Sequence, residues 1–199
     1  MRILVIGASG TIGAAVVSAL SEGGHEVVSA SKRNTPLRVD ISDTASVLSM
    51  FKIVGKVDAI VSAAGPARFK PLAELTDDDF DFSLRNKLMG QVNIVRYGFD
   101  YVRDGGSITI TAGYMSRNPA PGSAAVSLVN AGLEGFARAA AGEAPRGIRV
   151  NVVSPPWVTE TLEKMGVDTT GGLPAATIAK SYVECVTGTA TGRVVDPRP

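Results

Sequence analysis

At 199 residues, with 45% hydrophobic and 20% charged residues, the chain has the size and balance of one globular domain with a sizeable core. A formal net charge of +1 gives no basic footprint for nucleic acid and no acidic tail. The single Cys185 excludes an internal disulfide, and no apolar run approaches membrane-spanning length, so a soluble cytoplasmic protein without nucleic-acid or membrane partners is expected.

Met1-Arg2 runs directly into Ile3–Ile6, an apolar run too short for a helix and suited to a strand buried on both faces of a parallel sheet. Gly7, Gly10 and Gly13 then punctuate a turn that opens a helix, whose apolar residues Ile12, Val16, Ala19 and Leu20 recur at helical spacing. Strand, glycine turn and helix N-terminus together make a cradle for a pyrophosphate. Gly7 permits the sharp turn, Gly10 keeps side chains off the phosphates, and Gly13 lets helix and strand pack closely. The helix stops at Gly23-Gly24.

His25–Ala30 reads as a second strand, Ser31–Asn34 as a loop and Leu37–Ile41 as a short third strand. Ser42 caps a helix through Val47, Leu48 and Phe51, ending near Gly55, and Val57–Ser62 is a fourth strand. Thr76 caps a long helix with Asp77, Asp78 and Asp79 in its first turn, where the dipole favours acids. Its apolar stripe runs Leu84, Leu88, Val92, Val95, Phe99 and Val102, and Gly105-Gly106 stops it. Ser107–Thr111 is a fifth strand, Ser123–Glu143 an Ala- and Gly-rich helix, and Ile148–Val153 a sixth strand. A loop and short helix lead to Pro174, a last helix runs to Val186, and Arg193–Val195 closes the chain as a strand. No repeat or linker interrupts the alternation. It predicts an α/β fold over residues 1–199, one domain built on a parallel sheet with helices on both faces.

GASGTIG at 7–13, Asp40 after the third strand, SAAG at 62–65, GSITITAG at 106–113, NAGLEGFARAAAGE at 130–143 and IRVNVVSPPWVTET at 148–161 follow one another in a familiar order. Over essentially its whole length the chain resembles a short-chain dehydrogenase/reductase. The resemblance implies a Rossmann-type, doubly wound parallel sheet of seven strands in the order 3-2-1-4-5-6-7, with a nicotinamide dinucleotide at the strands' C-terminal edge. Carried over residue by residue, Gly7, Ser9, Gly10, Thr11, Ile12 and Gly13 match the pyrophosphate turn, with Thr11 where the family usually has glycine. Asp40 and Ile41 match the adenine pocket, although Asp40 also reads as a cap for the helix beginning at Ser42. Ala63, Ala64 and Gly65 match the segment passing the adenine ribose, with Ser62 in place of the leading asparagine. Pro155, Val158 and Thr159 match the segment that meets the carboxamide, with Pro156 replacing a glycine.

The loop after the second strand selects the cofactor. An acid there would accept both ribose hydroxyls and favour NAD(H). Ser31, Lys32 and Arg33 instead suit the 2′-phosphate of NADP(H), with a surface pair of cations as the plainer alternative.

The family works with a serine after the fifth strand and a Tyr-x-x-x-Lys on the next helix. Matching GSITITAG places Gly113 at the serine, and matching NAGLEGF places Val126 at the tyrosine and Asn130 at the lysine. An asparagine of the long helix maps to Lys87, with Asn86 adjacent. Lys87 and Asn130 therefore look like an exchange of the family's asparagine and lysine, or Lys87 snorkels outward from an amphipathic helix. Tyr114 is the one phenol near the expected chemistry, or else a loop tyrosine covering apolar surface. Thr111, Ser116 and Ser127 are further hydroxyls. His25 and Cys185 read as structural, Trp157 and Met165 sit in a short substrate-covering segment, and no metal site is expected.

Two functions follow: an NADP-dependent oxidoreductase acting on an unidentified small carbonyl or alcohol with non-standard catalytic residues, or a degenerate nucleotide-binding protein that senses or regulates without hydride transfer. By the same resemblance, the long helix and the Ala/Gly-rich helix, with Gly132, Gly135 and Ala139, form the face of a homodimer or homotetramer.

Overall fold

The computed structural model describes residues 1–198. In chain order its elements are β1 (Arg2–Ile6), α1 (Thr11–Glu22), β2 (Glu26–Ser31), β3 (Leu37–Arg38), α2 (Thr44–Val54), β4 (Val57–Ser62), α3 (Asp77–Ser83), α4 (Gly90–Gly98), β5 (Val102–Thr111), α5 (Ala124–Glu143), β6 (Arg149–Val153), α6 (Thr159–Met165), α7 (Ala175–Thr187) and β7 (Val194–Val195). All seven strands join one parallel sheet in the order β3-β2-β1-β4-β5-β6-β7. The chain starts in the middle, winds outward to β3, then returns to β4 and winds the other way. The carboxyl ends of β1 and β4 diverge at that reversal, which opens a crevice above them.

The two-sided burial of β1 explains its unbroken apolar run. Leu4 and Ile6 face one layer, where Val47, Phe51, Val95 and Leu133 of α2, α4 and α5 pack. Ile3 and Val5 face the other, against Val16 and Leu20 of α1 and Ile178 and Tyr182 of α7.

Several boundaries differ from the sequence reading, each for a local reason. The third strand stops at Arg38 because Asp40 accepts from the N–H and hydroxyl of Ser42, turning the chain out of the sheet. Asp43 rather than Ser42 caps α2, accepting from the Ala45 N–H at 2.9 Å. Thr76 does cap α3, in a reciprocal capping box with Asp79. The long helix is broken by a π-helical turn over Leu84–Met89 and ends at Gly98, so Val102 is the first residue of β5 rather than the last of a helical stripe. Gly105-Gly106 sits inside that strand, where pairing jumps from Val57–Val102 to Ala59–Ser107 and the extra residues bulge outward.

Gly13 faces the carbonyl of Gly7 so closely that a Cβ there would overlap it. We therefore expect Gly13→Ala to lower stability by about 1–3 kcal/mol, the usual cost of overpacking, and to push α1 off β1. Thermal unfolding of the variant checks this; an unchanged melting temperature would contradict the packing.

Candidate active site

The crevice holds a cleft of about 990 Å³ that runs from the glycine turn to the end of β5. At one end are Thr11 and Ile12, at the other Lys87, Gly113, Tyr114, Val126 and Asn130. A smaller pocket of about 190 Å³ adjoins it, lined by Gly7, Asp40, Ile41, Ala64 and Gly65.

The turn is shaped for close approach. Gly7 has φ of 83°, and a Cβ there would lie 2.5 Å from the Ala63 carbonyl oxygen. Helix α1 opens at Gly10 without a side-chain cap and without an acid in its first turn, so its positive end is left for an anion. Ser9 does not face the cleft as a free hydroxyl; it donates to the Ser31 hydroxyl at 2.9 Å. Ser31 is itself buried and bonds the Arg33 carbonyl and Thr35, so it shapes its loop instead of presenting an open hydroxyl.

Lys32 pairs with Asp40 at 2.6 Å across the mouth of the smaller pocket. The Asp40 carboxyl is held below its ordinary range by hydrogen bonds from Lys32 and Ser42, which outweigh the opposing effect of its partial burial. Asp40 lines the smaller pocket but does not cap α2, a role that Asp43 takes; it fixes the turn before that helix instead. Arg33 is exposed and has no acidic partner among the described residues. Ala63, Ala64, Gly65, Pro155 and Val158 all line the main cleft. Thr159 does not; its N–H is bonded to Leu173 at the start of α6, and Thr161 takes the wall position instead.

The end of β5 is where the chemistry gathers. Gln91 clamps the Thr111 backbone from α4, donating to its carbonyl at 2.5 Å and accepting from its N–H at 2.8 Å. The Thr111 hydroxyl is committed to the Ser62 carbonyl at 2.6 Å and the Tyr182 hydroxyl at 2.7 Å, so it is a packing group rather than a catalytic one. One residue on, the Ala112 carbonyl accepts from Lys87 Nζ at 3.1 Å. Lys87 does not snorkel outward. The π-helical turn carries it inward to line the cleft, where it is half-buried and the loss of solvent pulls its pKa down to about 8.

Asn130 is buried opposite Gly113, where a Cβ would come within 2.7 Å of its Nδ2. Its Oδ1 is shielded from solvent and has no hydrogen-bond partner among the described residues. Tyr114 reaches the cleft too, but the Arg198 guanidinium lies 3.7 Å from its ring centroid and covers that face.

The sequence reading missed Gln91 and also Glu134. Glu134 is buried, accepts from Ser116 and Ser154 at 2.6 Å each, and so pins the β5–α5 and β6–α6 loops to one helix. Its signal, a polar residue among the apolar positions of α5, is visible only once the helix is phased. Around the substrate end, Phe69 and Trp157 meet edge to face at 5.7 Å, and Met115 and Met165 complete a mostly apolar wall.

These residues fit a dinucleotide. The glycines keep a cradle clear, the helix end offers positive potential, and Asn130 lines the far end of the same cleft. Comparison with known proteins agrees. Residues 7–191 match a family model described as enoyl-(acyl carrier protein) reductase. The chain is 28% identical over 148 residues to the hydroxynaphthalene reductase arp2 of Aspergillus fumigatus, covering 72% of this chain and 52% of that protein. It is 29% identical over 134 residues to the oxidoreductase UcpA of Escherichia coli K12, covering 63% of this chain and 51% of that one. The chain thus spans about half the length of these curated relatives. Among solved structures, protein lin1944 from Listeria innocua is 42% identical with a TM-score of 0.94, over 98% of both chains. A small-chain dehydrogenase in complex with NADPH is 27% identical with a TM-score of 0.87, over 98% of this chain and 95% of that one.

Lys87 yields a stability prediction. Its folded pKa of about 8 lies below the ordinary lysine value, so the folded state bears an ill-solvated ammonium at neutral pH. Between roughly pH 8 and 10.5 the unfolded chain binds more protons there, and stability rises with pH. Lys87→Met should stabilise the fold at pH 7 by on the order of 1–2 kcal/mol, with the gap closing toward pH 10. Denaturant titrations across that range measure it; a constant gap would show that the lysine is well solvated.

Proposed function

The chain belongs to the short-chain dehydrogenase/reductase family, and on that premise we propose that it is an NADP(H)-dependent oxidoreductase acting on a small carbonyl or alcohol, with Lys87 in place of the family's tyrosine as proton donor. The glycine turn would hold the pyrophosphate, Asp40, Ile41 and Gly65 the adenosine, and Pro155 and Val158 the carboxamide. Arg33 would meet the 2′-phosphate, with Lys32 turning to it from Asp40. NADPH, when bound, supplies the hydride.

The observation that carries this reading is Lys87 itself: an ammonium with one protein partner, the Ala112 carbonyl, in the cleft that begins at the glycine turn. A donor of pKa about 8 is matched to neutral operation, holding a proton to give and giving it readily. Asn130 stands in the same wall and would orient the substrate oxygen through its amide. The apolar wall of Phe69, Trp157 and Met165 supports an uncharged carbonyl compound as substrate.

A second reading, a degenerate nucleotide-binding sensor, draws on Gly113 and Val126, which line the cleft without a proton to give, and on the covering of Tyr114 by Arg198. We also place the protein in the cytoplasm; no helix among the described residues is long and apolar enough to cross a membrane. A homodimer or homotetramer is supported by the outer face of α5, where Leu128, Ala131, Gly135 and Ala139 are exposed beside one another.

Two sets of measurements test the assignment. NADPH should bind at least tenfold tighter than NADH, and Arg33→Ala should remove most of that preference, since a charge-assisted hydrogen bond contributes about 1.5–3 kcal/mol. Equal affinities in the unmodified chain would overturn the cofactor choice.

Over a panel of carbonyl compounds, turnover should be slower than in a relative with an intact Tyr-x-x-x-Lys and should fall as pH rises through about 8. Lys87→Met should lower kcat by about 10²–10⁴ with NADPH affinity kept, and Tyr114→Phe should change little. A loss confined to Tyr114→Phe would move the acid to the loop after β5. Tight NADPH binding with no turnover on any compound would favour the sensor.

A further inference from the structure

Helix α6 lies over the cleft and carries two residues whose roles differ sharply from those of ordinary surface charges. Glu160 and Lys164 are four apart with the acid first, the spacing at which a helical ion pair normally forms. They do not pair. Both Glu160 carboxylate oxygens accept from the Ala175 N–H at 3.0 Å, at the start of α7. Lys164 turns the other way and donates to the Thr11 hydroxyl at 3.1 Å, across a sequence separation of 153. Among the described residues it has no acidic partner.

The Lys164 side chain is exposed, so water solvates the ammonium, and it stands beside a second positive potential. Thr11 is the first residue of α1, whose uncapped N-terminus is itself positive and has no acid in its first turn. Two like potentials face each other over the turn that Gly7, Gly10 and Gly13 hold open. An anion between them would turn repulsion into a clamp.

Resting on the NADP(H) reading above, we propose that Lys164 is a ligand of the cofactor's diphosphate, and that this contact latches α6 over the substrate end of the cleft. Lys164 exchanges the Thr11 hydroxyl for a phosphate oxygen, and Thr11 is left free to bond the diphosphate from the opposite side. Because Met165 follows directly and Thr161 is one turn earlier, both in the cleft wall, seating Lys164 also fixes the substrate wall. A lid residue thereby reports the cofactor to the substrate site.

The test compares NADPH with adenosine 2′-monophosphate, which keeps the adenine and 2′-phosphate but has no diphosphate. Binding of each is measured by calorimetry for the unmodified chain, Lys164→Met and Lys164→Arg, with hydrogen exchange of the 161–166 amides followed in parallel. The expected result is that Lys164→Met weakens NADPH by roughly fivefold or more and leaves adenosine 2′-monophosphate unchanged. NADPH should slow exchange in α6 of the unmodified chain and of Lys164→Arg but not of Lys164→Met. Equal NADPH affinity and equal α6 protection in all three proteins would overturn the latch while leaving the cofactor reading intact. Equal weakening of both ligands would also overturn it, as a general charge or folding effect. Failure of the unmodified chain to bind NADPH would instead reject the cofactor reading, and the latch with it.

Discussion

The cleft depends on how the last residues of β5 are held. A strand in the middle of a parallel sheet loses its ladder partners where its neighbours turn away, and its backbone groups must then find others. Here each finds a specific one. Gln91 takes both backbone groups of Thr111, the Ala112 N–H goes to the Val153 carbonyl, and the Ala112 carbonyl takes Lys87. The Thr111 hydroxyl joins Ser62 of β4 to Tyr182 of α7 through the sheet. Side chains from α4, the π-helical turn and α7 thus converge on two residues. The position of Lys87 is therefore tied to the strand end, whose Ala112 carbonyl it meets at the edge of the cleft.

That economy has an electrostatic side. An ammonium with one carbonyl partner is poorly compensated, which is why burial lowers the Lys87 pKa. A core that only needed packing would be better served by methionine. A charge that costs stability is the pattern expected where a proton has work to do. Asn130 sharpens the argument. It crowds the site at which a side chain on Gly113 would project, so the residues at the two positions are sterically interdependent. A serine at 113 and an asparagine at 130 would compete for one volume.

Much of this was legible in the sequence, for physical reasons that differ by element. The glycine turn could be read because φ above zero and close backbone approach leave few alternatives to glycine at Gly7, and the structure shows both. The strands of the sheet interior could be read because two-sided burial demands unbroken apolar runs, as in Ile3–Ile6 and Val57–Ser62. Val102 was misplaced because an apolar residue at helical spacing is equally at home at the start of a strand. The break in the long helix was hidden for another reason: Gly90 packs against Ile41, and Gly65 against the Lys87 backbone, so the π-helical turn is set by contacts distant in sequence. The commitments of Ser31 and Thr111 were hidden likewise, since a hydroxyl's partner is fixed only when the fold closes around it.

The two ends of the cleft consequently obey different rules. At the glycine turn, recognition is by backbone and by the absence of side chains, so identity there is constrained and the sequence declares it. At the end of β5, recognition is by side chains whose positions are exchangeable: an amine can enter from the helix before the strand and an amide from the helix after it. What must be kept is a proton source and a hydrogen-bonding group facing one volume, not the chain position from which either arrives. Lys87 and Asn130 reach the cleft from the helices before and after β5, which pack on the same face of the sheet, and the Ala112 carbonyl, at the strand end that organises the cleft, fixes where the Lys87 ammonium is held.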